Sequence, residues 1–134
     1  MRCPRKPSRK GVCMKALLVV AHGSRRAESN DEIRQLTACL ERQAGAAFGH
    51  VRCAFLELAE PSIPDGLRNA VRAGASEVVV LPYFLSAGRH VVSDIPAEVE
   101  TVRREYPDIT ITVAPYLGAA PGLIDLLLLQ AQPD

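Results

Sequence analysis

What this 134-residue sequence lacks narrows it first. No apolar stretch reaches the roughly 20 residues of a membrane span, so neither a span nor a membrane partner is expected. No hydrophobic core follows the N-terminal charges, and the start does not read as a secretory signal. The four cysteines, Cys3, Cys13, Cys39 and Cys53, form no CxxC pair. Free thiols in a reducing cytoplasm are therefore expected. Charge of one sign is also missing, because the formal net charge is +1. Arg2, Arg5, Lys6, Arg9, Lys10 and Lys15 gather at the start, which leaves an acidic body without a basic stripe. No nucleic acid partner is expected on that distribution. A G-x-G-x-x-G loop and a P-loop are both absent, so no nucleotide is expected. Ser24 lies in HGS, not in the G-x-S-x-G of a nucleophile elbow, and no Asp–His pair is set out to activate it, which argues against a hydrolase.

What is present is a repeating alternation. At 134 residues, with 48% hydrophobic residues and ordinary charge, the chain has the size and composition of one globular domain. The expected strands are at about 16–21, 51–56, 77–81 and 109–114. Leu17–Ala21 and Val78–Leu81 are unbroken apolar runs, the mark of strands buried on both faces. The last run alternates Ile109, Ile111 and Val113 with Thr110 and Thr112, as a strand nearer the edge does.

Between the strands, a helix over 28–44 is expected from the stripe Ile33, Leu36, Leu40 and Ala44, with Ser29, Asn30 and Asp31 at its start. A second helix opens between Pro61 and Pro64, turns Leu67, Ala70 and Val71 to the sheet, and closes at Gly74. A third runs over about 97–106, or from nearer His90, and Pro107 stops it. A short fourth covers 123–130. Four successive β-α units predict an α/β fold: a single-domain parallel four-stranded sheet with helices on both faces, a flavodoxin-like three-layer sandwich. Residues 1–13 read as a disordered basic extension before a domain over 14–134.

Two histidines occupy equivalent places in this scheme. His22 ends the first strand within HGSRR, and His90 follows the third within LPYFLSAGRHVVSDIP. Ligands of open α/β sheets bind at the carboxyl ends of strands. The second strand ends in FLELAEP, which adds Glu57 and Glu60. Two imidazoles and a carboxylate converging from three strand ends would suit Co, Fe, Ni or Zn, and three protein ligands leave positions open for transfer. Asp94 reads chiefly as a helix cap, or else as a group orienting a ligand. Tyr83, Phe84 and Leu85 read as core, or as the wall of a ligand cleft. His50 precedes its strand, at the opposite end from His22, and reads as an inert surface residue.

AHGSRR, AFLELAEPSI and LPYFLSAGRHVVSDIP, in that order, resemble the small CbiX-type class II chelatases, the sirohydrochlorin cobaltochelatases, which are related to the sirohydrochlorin ferrochelatases. The resemblance extends from Lys15 to about Leu128. It implies a chelatase-like fold and ATP-independent, non-redox insertion of a divalent metal into a sirohydrochlorin-type tetrapyrrole, in cobalamin or sirohaem biosynthesis. The metal is substrate: Co²⁺ first, with Fe²⁺ or Ni²⁺ as alternatives. By the same resemblance His22, Glu57 and His90 are the metal-binding and catalytic residues, and Ser24, Arg25 and Arg89 meet the carboxylates of the macrocycle. Short members of the family pair, so a homodimer is implied. The competing reading is a divalent-metal carrier or storage protein that uses the same His/Glu site without catalysis.

Overall fold

Each apolar run becomes a strand in the computed structural model, which describes residues 14–132. The strands are β1 (Met14–Ala21), β2 (His50–Phe55), β3 (Ala75–Pro82) and β4 (Thr110–Val113). The helices are α1 (Ala27–Ala44), α2 (Ile63–Arg72), α3 (Ile95–Glu105) and α4 (Leu123–Ala131). All pairings are parallel and the order is β2-β1-β3-β4, with Leu17 of β1 opposite Val51 on one side and Val79 on the other. The expected parallel four-stranded α/β sheet is thus what forms. The basic extension expected at 1–13 lies outside the described residues. Within them, Cys39 is a free exposed thiol and Cys53 a free buried one.

The core is split by the sheet. On one face Leu18, Val20, Val78, Val80 and Ile111 pack with Ile63 and Leu67 of α2 and with Ile95, Val99 and Val102 of α3. Fully burying an aliphatic side chain of this size contributes about 1.5–3 kcal/mol, so this face supplies most of the driving force. Across the outside of the two helices the Arg68 guanidinium donates to both oxygens of Glu105, at 2.9 and 2.7 Å, and to Asp65 at 2.9 Å. On the other face Leu17, Val19, Val51, Cys53 and Phe55 meet Ile33 and Leu40 of α1. The buried positions of α1 are Asn30 and Thr37, so its inward stripe reads Asn30, Ile33, Thr37, Leu40 and is polar at two of its four steps.

Ser62 caps α2 by accepting from the Asp65 N–H, Pro64 fits its first turn, and Gly74 leaves the end with φ +105°. From β1 the chain moves outward to β2 and then back past β1 to β3. The carboxyl ends of β1 and β3 therefore face the crevice at which the strand order reverses.

Candidate metal centre

His22 leaves the sheet at a pinned point. The Tyr83 N–H donates to the Val20 carbonyl at 2.8 Å, Leu56 to Ala21 at 2.9 Å, and Glu57 to His22 itself at 3.0 Å. The backbones of His22 and Glu57 are thereby locked side by side. Gly23 then turns the chain with φ +95°, and a Cβ at that position would stand 1.8 Å from the Glu57 carbonyl oxygen. Only glycine satisfies both conditions. Asn30 holds the turn from below: its side chain accepts from the Ser24 N–H at 2.9 Å and donates to the Ser24 carbonyl at 2.8 Å. Leu58, directly after Glu57, has φ +67°, a conformation a branched side chain adopts only when its surroundings impose it.

The His22 ring is set between two acceptors. Nδ1 lies 2.9 Å from the Gly23 carbonyl oxygen and Nε2 lies 3.1 Å from the Glu57 carboxylate. A neutral imidazole has one N–H to give. With Nδ1 donating to the carbonyl, the Nε2 lone pair faces a carboxylate, and that gap calls for a proton or a cation. Two donors bound to one ion at 2.0–2.2 Å and at right angles stand about 3 Å apart. The spacing of Nε2 and Glu57 fits that arrangement.

His90 approaches from the opposite wall. It opens a π-helical turn over His90–Asp94, closed by the Ile95 N–H to the His90 carbonyl, that runs on into α3. Such turns are frequent at functional sites because the wider ring re-aims a side chain. Here the turn places the Asp94 carboxylate 2.8 Å from His90 Nδ1. The neutral tautomer donates at that contact and leaves Nε2 as a lone pair, oriented in the manner of a carboxylate–histidine metal ligand. The two rings meet edge to face, with centroids 4.9 Å apart. One turn further along α3, burial and the charge of Asp94 push the Glu98 carboxyl above the usual carboxylate range.

Shallow hollows flank the pair. One of 280 Å³ is lined by His22, Ser24, Asn30 and Tyr83; another of 310 Å³ by Glu57, His90, Asp94 and Glu98. A larger hollow of 470 Å³ lies between α1, α2 and β2. It contains none of the strand-end residues, and its size does not make it the site. His50 lines it, half-buried, with Nε2 enclosed and without a partner among the described residues; burial and then Arg52 hold its imidazole below the ordinary value. The surface position expected for His50 is corrected to a half-buried one.

Other expectations are corrected as well. Asp94 caps nothing with its side chain and instead braces His90. Of the two starts expected for the third helix, the helical turn takes the one at His90. Ser29, Asn30 and Asp31 do not start α1, which begins at Ala27, and Asn30 turns back to clasp the HGS loop. Of the two candidate acids, Glu57 is the one at His22, while Glu60 uses its carbonyl to accept from Arg34 at 3.2 Å. The Ser24 hydroxyl is engaged locally, accepting from the Arg26 N–H at 3.0 Å. Arg25 and Arg89 are exposed beside their histidines and form no ion pair among the described residues. Phe84 packs on the core, whereas Tyr83 and Leu85 are exposed. Among the described residues no three His, Cys, Asp or Glu side chains stand together as a ready-made metal cage. The arrangement is a His22–Glu57 pair with His90 beside it, and both rings are 42% exposed. An ion can enter and leave such a site.

The family model described as CbiX matches residues 16–132. The chain belongs to the CbiX family. It is 37% identical over 111 residues to the chloroplastic sirohydrochlorin ferrochelatase of Arabidopsis thaliana, covering 83% of this chain and 48% of that one. Over 122 residues it is 30% identical to the sirohydrochlorin cobaltochelatase of Priestia megaterium, covering 91% and 39%. Among solved structures it resembles the sirohydrochlorin chelatase SirB of Bacillus subtilis subspecies spizizenii in complex with cobalt, with a TM-score of 0.77, 28% identity, and coverage of 87% of this chain and 49% of that one. This CbiX chain thus spans half or less of the length of these relatives. Among its described residues no helix is long and apolar enough to cross a membrane.

Proposed function

We infer that this CbiX-family protein inserts a divalent metal into a sirohydrochlorin-type tetrapyrrole, with Co²⁺ as the leading cation and Fe²⁺ or Ni²⁺ as the others to test. The observation that carries this reading is the placement of the two rings, each with Nδ1 against a fixed acceptor. His22 and His90 each commit Nδ1 to a fixed acceptor, leaving two Nε2 lone pairs and the Glu57 carboxylate at one crevice. Inserting M²⁺ releases two pyrrole protons, so the site needs both a place for the ion and bases for the protons. His22 and Glu57 supply the first. His90 takes one proton at Nε2, with Asp94 stabilising the imidazolium that results, and Glu57 can relay the other to solvent. The protein needs no redox step, and no nucleotide enters the reaction.

The macrocycle brings several carboxylates. The exposed guanidiniums of Arg25 and Arg89, on the two loops that carry the histidines, can each bind a carboxylate through paired hydrogen bonds. Exposed Leu58, Tyr83, Leu85 and Val92 offer apolar surface on the same side. A second copy of the chain is the natural other wall of so shallow a crevice. The carrier reading fits less well, because a storage site is closed by its protein ligands and this one is open. An anaerobic absorbance time course of sirohydrochlorin with Co²⁺, Fe²⁺ or Ni²⁺, with and without protein, tests the proposal. Metallation faster than the spontaneous rate supports it; tight metal binding at the background rate supports the carrier.

A further inference from the structure

Leu58, the residue after Glu57, stands apart from every other side chain at the crevice. Its φ of +67° is the one positive value outside glycine among the described residues, and its side chain is 53% exposed. Both features lower stability. The left-handed conformation crowds Cβ against a carbonyl oxygen, and an exposed leucine leaves apolar surface in water. The backbone has a reason for the turn. The Glu57 N–H is held by the His22 carbonyl at 3.0 Å, and the Phe55 N–H reaches the Pro61 carbonyl at 2.8 Å, so residues 56–61 form a loop closed at its base. Arg34 fixes the return limb through the Glu60 carbonyl at 3.2 Å. A chain that must come back within so few residues needs a left-handed step.

Glycine or asparagine would take that step at lower cost. The loop explains the conformation and leaves the side chain unexplained. Its neighbours supply the explanation. Of the nine large apolar side chains exposed among the described residues, five lie on α4. The other four, Leu58, Tyr83, Leu85 and Val92, lie on the segments that follow the carboxyl ends of β2 and β3. They share those segments with Glu57 and His90, and Tyr83 also lines the hollow beside His22. Apolar side chains around a few polar groups suit a ligand with an apolar body and a charged edge. Of the four, Leu58 alone is held in a conformation that penalises it.

We propose that Leu58 is a substrate-contact residue, whose side chain packs on the tetrapyrrole ring and sets it over the His22–Glu57 pair. This deepens the chelatase reading above and rests on it. The macrocycle has carboxylates at its edge and an apolar ring system at its centre. Arg25 and Arg89 suit the first, and Leu58 suits the second. Because Glu57 and Leu58 are adjacent, one turn places a carboxylate for the cation and a leucine for the ring. The left-handed backbone also fixes the direction in which the leucine leaves the chain. A contact prepared before binding loses little freedom on binding. The role assigned to Leu58 is macrocycle affinity, and the cation is left to His22 and Glu57.

The test is an absorbance titration of metal-free sirohydrochlorin, without cation, on the wild type, Leu58→Gly, Leu58→Asn and Leu58→Met. Glycine and asparagine keep the turn and remove the apolar group, whereas methionine keeps the apolar bulk. The expected result is a dissociation constant raised roughly 10-fold or more by glycine and by asparagine, the scale of one apolar side chain covered on binding. Methionine should stay close to the wild type. The glycine and asparagine variants should unfold thermally at or above the wild-type midpoint, and half-saturating Co²⁺ at saturating macrocycle should not move. Wild-type affinity in both of them overturns the proposal. So does a fall in both unfolding midpoints, which gives the side chain to the fold. A wild type that metallates sirohydrochlorin while Leu58→Gly binds it equally well defeats the contact and leaves the chelatase reading standing. A wild type that binds no sirohydrochlorin defeats both.

Discussion

His22 and His90 present the same residue under opposite constraints. His22 is fixed by backbone: three strand-end hydrogen bonds, a glycine that no other residue can replace, and the Asn30 clasp. Its carboxylate partner, Glu57, faces Nε2, the atom a metal would use. His90 is fixed by a single turn of π helix, and its carboxylate partner, Asp94, takes the other nitrogen. A carboxylate beside the ligating atom makes a place for a cation. A carboxylate behind the ring makes a better base. Under the proposed function the difference would divide the labour: His22 with Glu57 to receive the ion, and His90 with Asp94 to receive a proton.

The largest way to break this contrast is Gly23→Ala. The new methyl group cannot coexist with the Glu57 carbonyl oxygen. We expect a loss of about 2–3 kcal/mol in denaturant unfolding, the upper range for stored backbone strain, together with loss of metallation. Asp94→Asn leaves the ring in place but removes the charge behind it. The expected result is a 10–100-fold slower turnover at unchanged Co²⁺ half-saturation, as for other carboxylates behind a working histidine. Glu57→Gln should do the converse, weakening Co²⁺ half-saturation about 10-fold with a smaller effect on turnover; equal losses in both parameters for both variants would erase the contrast.

The smallest effect concerns His50, which serves as a control remote from the pair. Burial holds its folded-state value below 6.5, so the unfolded chain binds the proton more readily. Stability should therefore fall as pH drops below about 6.5, and His50→Gln should flatten that part of the profile, followed by thermal unfolding between pH 5 and 8. Metallation at pH 7.5 should be untouched.

How much of this was legible follows the physics of each signal. The strands were readable because β1 and β3 are buried on both faces and so appear as apolar runs. The first two residues of β3, Ala75 and Ser76, escaped because they carry too little apolar surface to register. His22 and Glu57 could be placed at strand ends, since each comes within two residues of its run; His90 lies further on, past the loop after Pro82, and only its GRH context in the same segment ties it to that strand. Asn30 was misread because a polar residue near a helix start ordinarily caps it, and only the fold shows it turned inward on Ser24. Asp94 was misread for a related reason. Its i+4 spacing from His90 is plain in the sequence, but it matters only if the helical turn begins at His90, and the sequence left that start and one near 97 both open. The inward stripe of α1 was half hidden because Thr37 stands where an apolar residue was sought; its hydroxyl is satisfied by the Ile33 carbonyl at 2.7 Å.

The division between the two histidines is tested most directly by metallation kinetics of His22→Ala and His90→Ala over a wide range of Co²⁺. The account predicts that raising Co²⁺ recovers much of the rate of His22→Ala, because its defect is in holding the ion. His90→Ala should stay roughly 100-fold or more below the wild type at any Co²⁺ concentration, the scale of a lost general base. Recovery of both variants by Co²⁺, or of His90→Ala alone, would contradict it.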